Sequence, residues 1–593
     1  MEQYYDYNHK LKVKDALFTP LRGVRLTSGL FRRIFDNNLR FTLGQLDIDR
    51  MRYWFDVKAG REPTAERYDG VFEDYLKGQT ASQYLMSLGN FLRWEEDAEA
   101  RASLGRVLDF LEDSQETNGF LMPIDKSEFA VREYPHYVRI WLTYALVAAG
   151  HSGEKRAFRM LRLWQDWFNR CPDLPVIKYL NLAYQGVVAS PTVYTTEIGI
   201  PEDMETTIEH YEETWRLGQF VENEPWATKT RRQHGKEPHI HGNELEGFEG
   251  YLDIYRYTGT PYYLRAVKHC IGQYKQDWQH PGGGLILCER FGGNPLGHRL
   301  IYLSKEQPYN EVCTSVFWLG IHQRLHRLEP DCEGHVFEME QALYNNIFAS
   351  QNGEIDIRNF MYLDNYKRGP IRPNHCCSGS GSMVMARLPE YLFTMTEDTL
   401  SCDIYAAATL DWQTAHGNVR VTEQTDYPYN GNVSFTFDPE IPHDLTVKFR
   451  IPRYASHAVP ILLNGEKVAV GEPGSYVTVF RRFERGDVLS LEIPFALRMH
   501  PYSGEHDVEG YTRAAYTYGP LLLALRGERN HPCGTVTVGT PEEFPSRLIP
   551  TDTPLVFRVA GMEGYTVEPY FAFEDGSFVC FPLFQIRRLP LLG

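Results

Sequence analysis

Between about residue 78 and residue 395, apolar side chains recur at steps of three and four. The blocks TASQYLMSLGNFLRWEEDAEARASLGRVLDFLEDSQETNG, YVRIWLTYALVAAG, EKRAFRMLRLWQDWFNRC, LEGFEGYLDIYRYTGTPYYLRAVKHCIGQYKQDW and TSVFWLGIHQRLH all carry this period. Such spacing lines one face of an α-helix with apolar groups, and several blocks end on glycine, a common helix stop. Successive helical hairpins with no strand pattern between them predict a toroid of paired helices, a barrel of the (α/α) kind. An open helical solenoid is the alternative, disfavoured because no fixed repeat period is visible.

After about residue 400 the period drops to two. NVSFTFDPE, DLTVKFRIPRYA, AVPILLNGEKVAV, SYVTVFRRF and DVLSLEIPFALRMHP are short β-branched or aromatic runs bounded by Gly, Pro, Asn and Asp, which is the signature of strands. Within them LNGEKV predicts a hairpin, since Asn-Gly suits a type I′ turn. The chain therefore divides into a helical unit, residues 1–399, and a C-terminal region of one or two β-sandwiches, residues 400–593. No low-complexity linker separates the two, so rigid packing between them is expected.

Composition narrows the partners. A length of 593 residues allows two to four domains. The formal net charge of −17 argues against a nucleic-acid or anionic-membrane surface. Abundant Tyr, Phe and Trp without basic patches suits a carbohydrate, whose C–H faces pack on rings, although most such rings belong to cores. The opening MEQYYDYNHKLKVKDALF has no apolar signal-peptide run, and no stretch reaches the length of a membrane span. A soluble, cytoplasmic protein is the expectation. In a reducing compartment its ten cysteines are free, metal-bound or catalytic rather than paired.

Two of those cysteines are adjacent. In RPNHCCSG, Cys376 and Cys377 follow Pro373 and precede Gly379 and Gly381, so a tight turn could aim both sulfurs at one point. Upstream, YNEVCTSVFW places Glu311 and Cys313 one residue apart, on the same side of an extended segment. Together the four make a three-thiolate, one-carboxylate set that zinc accepts. The competing reading buries Cys313 on a VCTSVFWLG helix and merely shields the vicinal pair. HGKEPHIHGNELEGFEG gathers His234, His239, His241, Glu237, Glu244, Glu246 and Glu249, which read as a polar rim over a pocket because the His spacings suit no metal. LCERFGGNPLGHR lacks the strand–helix context of a phosphate loop. Arg387 and Glu390 read as a solvated helical pair.

Taken together, these motifs resemble glycoside hydrolase family 127, the β-L-arabinofuranosidases and their close relatives. FTPLRGVRLTSGLFRRIFDNNLRFTLGQLDIDRMRYWFDVKAG is similar to the family's opening, HGNELEGFEGYLDIYRYTG to its histidine-bearing helix and GGNPLGH to the loop after its central Gly-Gly. NEVC and CCSGSG are similar to its Glu-Thr-Cys and double-cysteine motifs. FRIPRYA, LNGEKV, FERGDVLSLEIPFALR and YGPLLLAL are similar to its β-domain landmarks. The resemblance implies an (α/α)6 barrel followed by β-sandwiches, a bound Zn2+, and a retaining glycosidase with a cysteine nucleophile. Carried over by position, Glu311, Cys313, Cys376 and Cys377 match the metal ligands and Cys376 the nucleophile. His241 matches a pocket histidine that could bond a sugar hydroxyl, or else be satisfied within the barrel wall. Tyr302 and Tyr309 could contact the sugar or pack in the core.

One departure stands out. Where the family carries an acid/base glutamate, GGNPLGHRL offers His298 or Arg299. Another carboxylate, Glu306, Glu289 or Glu246, could supply the proton; His298 could do so itself; or this activity is absent. The implied function is hydrolysis of terminal β-L-arabinofuranosides from plant-derived oligosaccharides. The alternatives are another pectin sugar or sugar acid, or a non-catalytic sugar-binding protein with a structural zinc. A homodimer through the β-domain is a further implication of the resemblance.

Overall fold

The structure is a computed structural model that describes residues 3–132, 134–174, 183–211, 244–285, 309–352, 356–367, 374–502, 510–527, 539–572 and 575–585. Its helical half is built from α1 (Gly29–Gln45), α2 (Gln79–Leu92), α3 (Ala98–Ser114), α4 (Tyr134–His151), α5 (Lys155–Asn169), α6 (Ala189–Tyr194) and α7 (Pro201–Tyr211). It continues with α8 (Glu244–Thr258), α9 (Pro261–Asp277), α10 (Val312–Leu328), α11 (Glu333–Ala342) and α12 (Cys376–Met385).

The even-numbered helices form an inner ring in which each packs on the next: α2, α4, α6 with the 3-10 turn Ala183–Val188 before it, α8, α10 and α12. α12 then returns to α2 and closes the circle. Outside it, α3 backs α2, α5 backs α4, α7 backs α6, α9 backs α8, α11 backs α10, and α1 lies across α12 and α2. This is the (α/α)6 arrangement, and its closure rules out the open solenoid.

Burial follows the layer. α2 and α12 are buried along their whole length, as a helix walled on all sides must be. α5 buries only Ala157, Phe158, Met160, Leu161, Trp164, Gln165 and Phe168, the stripe facing inward, while Lys155, Arg159, Leu163 and Asp166 look outward. A glycine sets the closest approach within the ring. A Cβ on Gly89 would stand 2.7 Å from the Ala148 and Ala149 backbone, so α2 and α4 meet there with no side chain between them.

The β half begins with a two-sheet sandwich. One sheet runs β1 (Val24–Leu26), Ala408–Thr414, Gly417–Thr425, Asn432–Pro439, Asp487–Glu492, Val459–Leu463 and Glu466–Gly471. The other runs Ser475–Phe483, His443–Ile451, Thr399–Cys402 and Phe393–Met395. Inward residues alternate along the strands, as in Val433, Phe435 and Phe437 or Leu445, Val447 and Phe449. Asn464 and Gly465 take φ of 49° and 87° at the Val459–Gly471 hairpin, the left-handed pair that a type I′ turn requires.

Residues 497–585 supply eight strands of a nine-stranded sheet with its own core of Tyr516, Leu523, Leu525, Phe544 and Phe584. Two short strands cross between the halves. β1 pairs antiparallel with Ala408–Thr414, and β2 (Asp364–Lys367) pairs with Asp575–Val579. The seam is also ionic: Arg450, fully buried in the sandwich, reaches Glu340 at 2.7 Å and Glu333 at 3.2 Å on α11. Among the described residues no helix is long and apolar enough to cross a membrane.

Candidate active site

The first turns of five inner helices converge at one end of the barrel. Glu311 is the residue before α10 and Cys313 its second residue, so the chain turns from strand to helix between them. The expected extended segment is thus a strand–helix corner, and Cys313 is buried on its helix with the sulfur facing the vicinal pair. Cys376 and Cys377 open α12. One donor atom from each of Glu311, Cys313, Cys376 and Cys377 lies within 4.8 Å of the others, all four buried. Cys313 Sγ is 3.5 Å from Cys377 Sγ and 3.2 Å from Ser380 Oγ, Cys377 Sγ is 3.9 Å from Cys376 Sγ, and Cys377 donates to Glu311 Oε1 at 3.5 Å.

His375 sets the direction of the pair. It caps α12, its Nδ1 accepting from the Cys377 N–H at 3.4 Å and standing 3.4 Å from Cys376 Sγ. Ser378 completes the capping box, its hydroxyl accepting from the His375 N–H and donating to the His375 carbonyl. From α2, Gln83 donates to the Cys376 carbonyl at 3.2 Å. That contact needs Gly379, where a Cβ would stand 2.1 Å from the Gln83 amide carbon.

The three thiols differ in acidity. Hydrogen bonds from Cys313 and then Cys377 hold the Cys376 thiol well below its ordinary range, with His375 adding to the effect. Burial pushes Cys313 and Cys377 well up. The positive end of α12 favours the same thiolate. Cys376 retains 7% exposure against 0% for each of the others, so its sulfur is the outward one.

Three sulfurs and one carboxylate at this spacing make a donor set suited to a divalent, sulfur-accepting ion such as zinc. The residues present therefore fit the ion.

Around the cluster stand groups that the sequence placed elsewhere or passed over. Glu246, in the first turn of α8, lies buried in the barrel wall rather than on a rim, because α8 belongs to the closed inner ring. Among the described residues neither of its oxygens has a hydrogen-bond partner. Burial, then Glu249, then Cys376 push its carboxyl well up. Tyr137, on α4, is buried beside the same sulfurs, burial and then Cys376 raising its phenol far above the usual value. Nothing in its helical block sets Tyr137 apart from wall residues. The signal for His375 was its place directly before the pair.

Tyr309 lies in the strand Tyr309–Glu311, two residues before Glu311. His241, His298, Tyr302 and Glu306, with Glu289, lie outside the described residues.

At the other end of the barrel the helix C-termini enclose a cavity of about 190 Å³ lined by Arg93, Glu249, Gln323, Arg324, Arg387 and Glu390 among others. Arg387 and Glu390 are not solvated: Glu390 is buried and takes Arg387 at 2.5 Å, Arg93 at 2.6 Å and Gln323 at 2.9 Å. The turn after α12 points into the ring, which is why the pair is enclosed. Glu249 has Arg324 against it. With its carboxylates matched by arginines, this floor is a structural plug.

Comparison with known proteins agrees with this geometry. The β-L-arabinofuranosidase GH127 catalytic domain matches residues 23–189, and the GH127 middle domain matches residues 399–495. No curated protein matches the sequence. Among solved structures, a GH127 β-L-arabinofuranosidase from Geobacillus stearothermophilus T6 superposes with a TM-score of 0.72 at 17% identity, over 95% of this chain and 100% of its own. A GH127 β-arabinofuranosidase superposes with a TM-score of 0.77 at 15% identity, over 99% of both chains. A third structure, described as a glycoside hydrolase, gives a TM-score of 0.73 at 15% identity, over 99% of this chain and 100% of its own. At such identities the superpositions establish the fold, and the two domain matches bracket the barrel entry and the sandwich. The chain belongs to glycoside hydrolase family 127, and it is a glycoside hydrolase.

Proposed function

We propose that the protein is a retaining exo-glycosidase that removes terminal β-L-arabinofuranose from plant-derived oligosaccharides, with Cys376 as nucleophile and zinc held by Glu311, Cys313, Cys376 and Cys377. The observation that carries this reading is the inequality of three clustered thiols: the outward one, at a helix N-terminus, is the one most readily ionised. When bound, zinc keeps sulfur ionised at neutral pH and narrows its direction of attack.

The protein's own groups do the rest. Gln83 and His375 fix the Cys376 backbone and the turn that carries its sulfur. The sulfur attacks the anomeric carbon, a C–S bond forms as the glycosidic C–O bond breaks, and the departing oxygen takes a proton from an acid. Water, deprotonated by that acid's conjugate base, then displaces the sulfur and releases the sugar with its configuration retained.

For the acid, Glu246 is the described group best suited, because a carboxyl held protonated by its surroundings can donate at neutral pH. His298 and Glu306, earlier in the sequence than α10, are its competitors.

The test is arabinose release from an alkyl and an activated aryl β-L-arabinofuranoside by zinc-loaded protein. Wild type turns both over, and Cys376→Ser loses about 10⁴-fold or more on both. Among Glu246→Gln, His298→Ala and Glu306→Gln, Glu246→Gln is expected to lose the alkyl substrate while keeping most of the aryl activity, since a good leaving group needs little protonation. If the zinc-loaded wild type releases no arabinose from either, the substrate assignment falls. A panel of other aryl glycosides then tests the pectin-sugar reading that the GGNPLGHRL loop motivates.

A further inference from the structure

The corner between α10 and α11 gathers a second set of donors. Glu329 follows the last residue of α10, Cys332 immediately precedes α11, and His335 lies in the first turn of α11. The Cys332 N–H donates to the Glu329 carbonyl at 3.0 Å, and the His335 N–H to the Cys332 carbonyl at 3.2 Å. Two successive three-residue turns result, and side chains three apart in such turns stack on one side. A carboxylate, a thiol and an imidazole are thereby brought together, one donor atom of each within 4.8 Å of the others.

The imidazole is held on both sides. His335 Nε2 faces Glu329 Oε2 at 3.2 Å, and His335 Nδ1 lies 3.1 Å from Nδ1 of the buried His322. One nitrogen of His335 is thus tied to a partner behind it while the other faces the carboxylate, which is how metal-binding histidines are oriented.

Two cations border the cluster. Lys268 reaches Glu329 from the surface on a flexible stem, and Arg453 approaches Gly334 from the sandwich while bound to Glu333. Cys332 is exposed, so the cluster opens to water on one side.

We propose that Glu329, Cys332 and His335 form a second metal site, which takes Zn2+ through one carboxylate oxygen, one thiolate and one imidazole nitrogen and leaves a fourth position to water. The mixed O, S, N set suits zinc better than a hard oxygen-seeking ion. Bound there, the ion clips the turn from which α11 sends Glu333 and Glu340 into the sandwich.

The experiment uses the full chain, stripped with chelator, reloaded with zinc chloride and desalted. Wild type is expected to hold about two zinc ions per chain and Cys332→Ser about one. In wild type, zinc is expected to slow iodoacetamide labelling of Cys332, read by peptide mass, about tenfold or more, because a coordinated thiolate is masked. His335→Gln, which keeps the thiol, should lose that protection. Turnover by Cys332→Ser should be unchanged. Equal zinc content in wild type and Cys332→Ser, or labelling of Cys332 indifferent to zinc, overturns the proposal. The labelling readout is independent of what the Cys376 cluster holds.

Discussion

Cys376 and Cys377 carry the same side chain, and one step along α12 separates an outward sulfur that accepts hydrogen bonds from an inward one that keeps its proton. Identity of residue type therefore says less than position on the turn. Gly379 belongs to the same argument: any side chain there meets Gln83, whose amide holds the Cys376 carbonyl. Gly379→Ala is expected to cost about 1–3 kcal/mol by overpacking, and to lower kcat by displacing the turn that carries Cys376. Thermal melts and arabinose release should register both effects. A variant that melts like wild type with full turnover would show that Gln83 can yield without disturbing the sulfur. The four candidate ligands could be picked from the sequence because thiols and acids at short spacing are rare and chemically conspicuous. Tyr137 and the burial of Glu246 could not, because a barrel's inner wall reads as ordinary helix until the ring is closed.

Helices α2–α5 and α8–α10 were legible as elements because each repeats its apolar residues at a period no strand shares, whereas α6, α7, α11 and α12 lie outside those blocks. The sandwich strands were equally so, Val433, Phe435 and Phe437 alternating inward. What periodicity does not encode is an element too short to have one. β1 and β2, of three and four residues, carry no pattern that marks them as members of sheets in the other half. Nor does the first arginine in FRIPRYA announce that it spans the seam. Yet Arg450 satisfies Glu333 and Glu340 together, with Tyr427 and Tyr454 each donating to Glu340 at 2.8 Å. Arg450→Met leaves Glu340 buried without its cation and Glu333 with Arg453 alone, and a loss of about 3–5 kcal/mol is expected. Denaturant midpoints would measure it. A loss below about 1 kcal/mol would mean that water reaches the seam.

At the scale of the molecule, the ring must be shut between its first and last inner helices, and Glu390 sits at that join. Burial alone would raise its carboxyl, but Arg387 and then Arg93 hold it far below the usual carboxylate range. A group depressed in the fold contributes stability above its unfolded value of about 4.3, and loses it as pH falls through the folded value. Glu390→Gln should therefore cost about 3–5 kcal/mol at pH 7, and the gap from wild type should shrink as the pH drops below about 4. Denaturant midpoints across that range decide it. A gap that stays constant with pH would place the cost in packing rather than charge.

The strand that crosses from the barrel entry into the sandwich also bears on how such a chain comes into being. Val24 leaves the ribosome early, but its register partner, Leu410, lies roughly 390 residues downstream. At synthesis rates of about 5–20 residues per second, the first strand waits on the order of 20–80 seconds for the sheet edge it will join. During that interval α1 can dock only against α2 and α3, with neither α12 nor the sandwich yet made. The opening segment is thus finished only after the last inner helix of the barrel has been made, and until then the nascent chain of this enzyme exposes an unpaired edge.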